Sequence, residues 1–195
     1  MTRQAVKLLL SILLLIVLNS NAQTPIYKDK TKPVDLRVKD LLSRMTLEEK
    51  FWQVFMIPGD LDNAGANQYQ HGLFGFQVSV GSKSDISGQI LNYNSKENAI
   101  ALAKKINAIQ KYFVEKTRLG IPIIAFDEAL HGLVREGATS FPQSIGLAST
   151  WDTAMMAKVS RGIALETKIR GIRQILSPVI NISADPRWGR VEETY

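Results

Sequence analysis

Ile121-Pro122-Ile123-Ile124-Ala125-Phe126-Asp127-Glu128 is an unbroken apolar run that ends abruptly in two carboxylates. A strand with one solvated face alternates apolar and polar side chains, whereas a strand covered on both faces, as in a parallel sheet, is apolar throughout. The proline stands near the start of the run, where a missing ladder donor is tolerated. Downstream, Gln174-Ile175-Leu176-Ser177-Pro178-Val179-Ile180-Asn181-Ile182 reads as a second buried strand, again followed by a polar loop. Between the two, a helix starting near Thr150 or Asp152 and ending near Gly171 would bury Met155, Val159 and Ile163. Upstream, Leu73 to Val80 is strand-like, and Gly81 to Asn94 is a polar loop. A long helix follows that Ser95 can cap, with Leu102, Ile106, Ile109 and Phe113 on one face. Gly120 is placed to end that segment in a left-handed turn. Strand, helix and strand in that order predict βα units around a parallel sheet, an α/β fold.

Nearer the N-terminus, Val34, Val38, Leu41, Leu42 and Met45 share a helical face, and Thr46-Leu47-Glu48-Glu49 is a capping box opening a short second helix. Trp52 and Trp151 lie on or beside these helices and read as core. The first residues are a targeting signal. Arg3 and Lys7 precede the apolar stretch Leu8 to Leu18, and Ser20-Asn21-Ala22 offers the small-x-small pattern of a cleavage site. That stretch is shorter than the ~20 residues a bilayer requires. Residues 1–22 are therefore expected to be a secretory signal peptide, which places the mature chain in the periplasm or outside the cell and off the membrane.

The whole chain has 195 residues, no cysteine, 45% hydrophobic and 22% charged residues, within the ordinary globular range. The absence of cysteine excludes thiol nucleophiles, thiolate metal sites and disulfides, and two histidines, His71 and His131, are too few for a histidine-rich metal centre. Formal charge is +6, and the segment 1–22 carries two positive and no negative residues, so 6 − 2 leaves +4 on 195 − 22 = 173 residues. That excess is scattered and argues against nucleic acid as a partner. No Gly-x-Gly-x-x-Gly, phosphate-binding loop or Gly-x-Ser-x-Gly elbow occurs.

Two loops carry chemistry. The first, Asp127-Glu128-Ala129-Leu130-His131-Gly132, follows directly on a buried strand. In a (β/α) barrel that is the mouth of the active site, and a carboxylate there can accept from paired sugar hydroxyls. Asp127 and Glu128 could equally cap the next segment or pair with Arg135, and position alone leaves both readings open. His131 reads as a hydrogen-bonding structural group. The second loop is Ser183-Ala184-Asp185-Pro186-Arg187-Trp188-Gly189-Arg190. Its arginines offer forked donors suited to vicinal hydroxyls, or could hold the loop through Asp185, Glu192 and Glu193.

Five motifs occur in order: Arg44 to Lys50 (Arg-Met-Thr-Leu-Glu-Glu-Lys), Thr117 to Pro122 (Thr-Arg-Leu-Gly-Ile-Pro), Glu128 to Gly132 (Glu-Ala-Leu-His-Gly), Phe141 to Trp151 (Phe-Pro-Gln-Ser-Ile-Gly-Leu-Ala-Ser-Thr-Trp) and Asp185 to Tyr195 (Asp-Pro-Arg-Trp-Gly-Arg-Val-Glu-Glu-Thr-Tyr). Together they resemble the N-terminal domain of glycoside hydrolase family 3, the β-glucosidase and β-xylosidase group, over about residues 26 to 195. The resemblance implies a (β/α)8 TIM-type barrel, of which residues 23–195 are the N-terminal part, since a whole barrel takes about 250 residues. It implies an exo-acting, retaining β-glycosidase that removes the terminal non-reducing sugar of a β-glycoside or oligosaccharide, without a cofactor. β-Glucosides are the first expectation and β-xylosides the alternative. Glu128 and Arg190 map onto the family's sugar-binding residues, with Asp127 and Arg187 as supports. The family's Ser-Asp-Trp nucleophile motif and Lys-His pair occur nowhere in the sequence. No catalytic carboxylate is therefore assigned within the chain; nucleophile and acid/base are expected downstream, and the chain alone is expected to be an inert sugar binder.

Overall fold

Four strands lie side by side in sequence order and all run parallel in the computed structural model: β1 (Met56–Pro58), β2 (Gly75–Gln77), β3 (Phe126–Asp127) and β4 (Gln174–Ile175). The structure describes residues 24–62, 65, 67–80 and 96–195. The expected signal segment, the loop from Gly81 to Asn94 and the Ser95 cap lie outside the described residues. The helices are α1 (Val34–Arg44), α2 (Leu47–Trp52), α3 (Ala99–Lys116), α4 (Ser144–Ala148) and α5 (Thr153–Ile169). α3 connects β2 to β3, and α4 and α5 connect β3 to β4. A parallel sheet in which each strand neighbours the next in sequence is an arc of a (β/α) barrel, so the α/β fold read from the sequence is the one present.

The described residues form two compact units, one ending at Met45 and one spanning Thr46–Tyr195. In the first, a turn at Ile26–Lys28 is tied to α1: the Tyr27 amide donates to Asp40 at 3.0 Å and Arg37 Nε to the Tyr27 carbonyl at 3.1 Å. The second opens on the expected capping box, in which the Glu49 amide donates to the Thr46 hydroxyl at 3.2 Å and the Thr46 amide to the Glu49 carboxylate at 2.9 Å. Glu49 also accepts from Arg118 Nε at 2.9 Å. That guanidinium is the main cause holding the Glu49 carboxyl below its usual range.

Asn98, whose side chain accepts from the Ala101 amide at 2.9 Å, caps α3. Leu102, Ile106, Ile109 and Phe113 are all buried, as their spacing of four, three and four requires. They pack with Leu73, Phe76, Val78, Ile123, Ala125, Ile163 and Ile172 in the core. The helix ends at Lys116 on an extended Thr117, so Gly120, although left-handed at φ 63°, turns the chain further on and does not end the helix as expected. α5 is capped by Asp152, the second of the two expected starts, whose side chain accepts from Met155 N at 2.9 Å.

Several expectations need correction. The Ile121–Phe126 run pairs as a ladder only from Phe126 onward, and Pro122 is exposed. Before Phe126 the run is tied to the β2 segment by a single backbone bond, from the Ile124 amide to the Phe74 carbonyl at 2.8 Å. The Gln174–Ile182 strand stops after Ile175, with Ile180 80% and Ile182 94% exposed. Among the described residues β4 has a strand neighbour on one side only, and Pro178 has no amide to extend a ladder. Trp151 is 92% exposed rather than core. It occupies a left-handed turn (φ 54°) between α4 and α5, so no helical face directs its ring inward. On α5 itself Ile163 is buried, whereas Val159 is half-buried and Met155 exposed. Trp52 is half-buried and packs on the core as expected.

Gly75 explains how β2 and the 121–125 segment lie so close. A Cβ at Gly75 would stand 1.9 Å from the Ile124 carbonyl oxygen, a backbone atom that cannot step aside. Gly75→Ala should therefore lower unfolding stability by about 1–3 kcal/mol or more. Gly146→Ala, in α4 with its nearest neighbour at an ordinary 3.8 Å, should raise it by about 0.5–1 kcal/mol. Urea unfolding midpoints of the two variants, read against the parent, check the opposite signs.

Candidate functional site

β3 delivers Asp127 and Glu128 to the carboxyl-terminal rim of the sheet, and the two neighbours have opposite surroundings. The Asp127 side chain is fully buried. Its Oδ1 accepts from the Ser79 hydroxyl and from the Glu128 amide at 2.9 Å, and its Oδ2 accepts from Arg135 at 3.1 Å. Burial pushes the Asp127 carboxyl up, against the Ser79 hydrogen bond and the Arg135 charge. Arg135, whose side chain is also fully buried, reaches Glu97 at 3.4 Å. Glu97 pairs with Lys105 at 2.9 Å, and Lys105 donates to the Val78 carbonyl at 2.9 Å. The pairing of Asp127 with Arg135 was one of the two readings left open by position. Ser79, Glu97 and Lys105 were missed. A serine inside the apolar stretch from Leu73 to Val80 is the one sequence signal that could have pointed to the first of them.

Glu128 is half-buried, and its carboxylate makes no hydrogen bond among the described residues. Burial first, and the Asp127 charge second, raise its pKa; Arg190 pulls it down and Glu193 pushes it up. Glu128 and Arg190 thus bias one another's ionisation, without a direct hydrogen bond between them among the described residues. Arg190 is 59% exposed and donates from Nε to Glu193 at 2.8 Å, a pairing that raises its own pKa.

The second loop turns through Pro186–Trp188 and leaves it at Gly189, which has φ 82°. Arg187 donates from Nε to both Asp185 oxygens, at 3.0 and 2.9 Å, and its side chain is 89% exposed. It therefore fastens its own loop, the local role considered for it. His131 Nδ1 lies 2.9 Å from the Phe141 carbonyl; because a carbonyl only accepts, Nδ1 carries the hydrogen. The Phe141 amide returns a bond to the His131 carbonyl at 2.7 Å, closing the loop's far side. His131 is structural, as read. Gly132 (φ 130°) is required there, since a Cβ would stand 2.2 Å from the Thr139 carbonyl oxygen. Among the described residues no group of three or more Asp, Glu or His side chains could hold a metal ion, and no helix is long and apolar enough to cross a membrane.

The rim thus presents an acceptor without a hydrogen-bond partner among the described residues, together with a forked donor, a pairing suited to a ligand whose hydroxyls both donate and accept. The profile of the glycosyl hydrolase family 3 N terminal domain matches residues 46–195. A probable beta-glucosidase C of Aspergillus oryzae is 35% identical over 191 residues, 90% of this chain and 28% of that protein. A periplasmic beta-glucosidase/beta-xylosidase of Dickeya chrysanthemi is 28% identical over 189 residues, 91% of this chain and 28% of that one. A solved b-glucosidase from Erythrobacter marinus superposes with a TM-score of 0.69 at 29% identity, covering 88% of this chain and 22% of that one. The chain thus spans about 28% of the length of each of these two curated relatives.

The two carboxylates should respond differently to replacement by the amide. With its pKa raised above the ordinary 4.5, Glu128 binds its proton more tightly in the folded than in the unfolded chain. Its charge therefore costs stability, and the cost appears as pH climbs through 4.5 to the raised value and is complete above it. Glu128→Gln should raise the melting temperature at pH 7, with the gain vanishing below the ordinary carboxylate range. Asp127 also has a raised pKa, so its charge carries the same cost, but Asp127→Asn replaces one of two accepting oxygens with an NH2 that faces the Ser79 and Glu128 donors or the Arg135 donor. Losing such a bond costs about 1.5–3 kcal/mol, so this variant should melt lower across the range. Thermal scans of both variants from pH 3.5 to 7.5 read out the signs.

Proposed function

The chain belongs to glycosyl hydrolase family 3, and from that premise we propose that it forms the sugar-binding side of an exo-acting, retaining β-glycosidase acting on terminal non-reducing β-linked sugars. β-Glucosides are the primary substrate class, in keeping with the names of the Aspergillus and Erythrobacter relatives. β-Xylosides are the second class, favoured by the Dickeya relative, whose name carries both activities. The observation that carries this reading is the Glu128 carboxylate just past β3, without a hydrogen bond among the described residues and within the influence of the Arg190 charge.

In this reading the sugar ring sits over the rim, Glu128 accepts from its hydroxyls, and the exposed edge of the Arg190 guanidinium donates to them. Glu193 keeps Arg190 oriented, and Asp127 keeps Glu128 oriented. Retention requires a carboxylate nucleophile and a carboxylic acid about 5–5.5 Å apart across the scissile bond. Asp127 is sealed by Ser79, the Glu128 amide and Arg135, so it is not free to attack an anomeric carbon. We assign both catalytic carboxylates to sequence beyond these residues, and residues 23–195 to the front part of the barrel domain. The basic start and apolar core before Ala22, and a relative named periplasmic, support export across the inner membrane.

The chain alone should not hydrolyse aryl β-glucosides or β-xylosides above background. When it is completed with the remaining segment of a family relative, activity should appear. In that protein Glu128→Ala or Arg190→Ala should each remove a charge-assisted hydrogen bond of about 1.5–3 kcal/mol, hence roughly ten- to a hundred-fold in kcat/KM. Melting temperatures should not fall in parallel. Full kcat/KM in either variant would return that residue to a purely structural role.

A further inference from the structure

We propose that Arg135 is a positioning residue for Glu128, acting through Asp127 as a buried clamp across the loop that carries both carboxylates. The inference rests on the preceding reading only for what Glu128 is positioned to do. Asp127 and Arg135 stand at the two ends of that loop, and both side chains are fully buried at 3.1 Å from one another. Each side of the Glu128 peptide is held close to this pair. Its amide donates to Asp127 Oδ1 at 2.9 Å, and its carbonyl accepts from Val134, the residue before Arg135, at 3.3 Å.

The clamp is fastened to regular structure on both sides. Asp127 belongs to β3 and accepts from Ser79, just past β2. Arg135 reaches Glu97, which pairs with Lys105 of α3, and Lys105 donates to the Val78 carbonyl behind β2. A buried ion pair adds little net stability over well-packed apolar residues, because desolvation offsets the attraction. What it adds is direction: the rigid guanidinium fork has Nη2 on Asp127 and Nη1 on Glu97, so its two prongs fix where each carboxylate stands. The clamp engages the Glu128 backbone and leaves the carboxylate oxygens unoccupied, as a device that aims a ligand-binding group must.

The full chain tests this with 13C-labelled glutamate and amide exchange, on Arg135→Lys and on the neutral pair Asp127→Asn/Arg135→Met. The pair removes both buried charges together, so that neither is stranded. It should melt as a cooperative unit, yet exchange of the Glu128 and Val134 amides should quicken at least tenfold relative to Phe113 in α3. The Glu128 carboxyl should titrate at a lower pH than in the parent, since the Asp127 charge is gone while Arg190 and Glu193, the other charged groups it feels, are untouched. Arg135→Lys, which keeps the charge and loses the fork, should quicken exchange without the same shift in titration. Parent-like Glu128 exchange and titration in the neutral pair would overturn the clamp. So would a neutral pair that fails to fold, because Arg135 would then serve the fold and not Glu128. If instead the clamp behaves as described but Glu128→Ala costs the completed enzyme nothing, the sugar-binding reading falls and the clamp stands.

Discussion

A charge placed where a strand ends inside a protein must be met on every side, and the carboxylate of Asp127 imposes that demand on this molecule. The side chain is fully buried, and leaving such an ion unpaired would cost several kcal/mol. The surrounding contacts follow as answers to it. Ser79 turns its hydroxyl inward after β2, Arg135 folds back from the far end of the loop, and the Glu128 amide supplies the remaining donor. Arg135 then brings its own demand, met in part by Glu97, which in turn holds Lys105 on α3. One buried charge thus fixes the relation of β2, β3, α3 and the loop between Asp127 and Arg135.

The sheet itself contributes little to that fixing through hydrogen bonds, because its ladders are short. β3 and β4 have two residues each, and β2 meets β3 through a single register pair. What aligns them is packing. Phe76, Leu102 and Phe113 are wholly buried across the sheet and α3, and Gly75 lets the Ile124 backbone approach where any side chain would collide. Apolar burial at roughly 25 cal/mol per Å2 outweighs the few ladder bonds forgone.

This division explains which features were legible in the sequence. Periodicity reports burial, so the α3 face from Leu102 to Phe113 was readable, as were the Thr46 box and the Asp152 cap, which depend on neighbours within three residues. The sequence-adjacent placement of Glu128 after an apolar run marked the rim correctly. Strand extent was not readable, because whether Val179 to Ile182 joins a ladder depends on what stands beside it and not on its own apolarity. Trp151 was misread for a related reason: a large aromatic between two helices carries no phase of its own, and a left-handed turn sends it outward. The partners of Asp127 come from 48 residues away at Ser79, and through Arg135 from Glu97 a further 38 residues off, separations that no local pattern encodes.

Adjacent carboxylates on one strand end could have been expected to share the nearby cations, and the arrangement avoids that. Had Glu128 taken Arg135 as its partner, its oxygens would be occupied and its half-buried charge neutralised, leaving nothing to offer a ligand. Instead the buried arginine is given to Asp127, and Arg190, which Glu128 does feel, is itself gripped by Glu193. Glu128 is left with a raised pKa and, among the described residues, no donor to its carboxylate, an unfavourable state for the fold that hydroxyl donors from a ligand would relieve in the proposed reading. The backbone amide is the means by which this state is held, since it transmits the rigidity of the Asp127 site to Glu128 without consuming a side-chain oxygen. Rigidity and an open acceptor are thereby divided between neighbouring residues, and the Glu128 amide joins the second to the first.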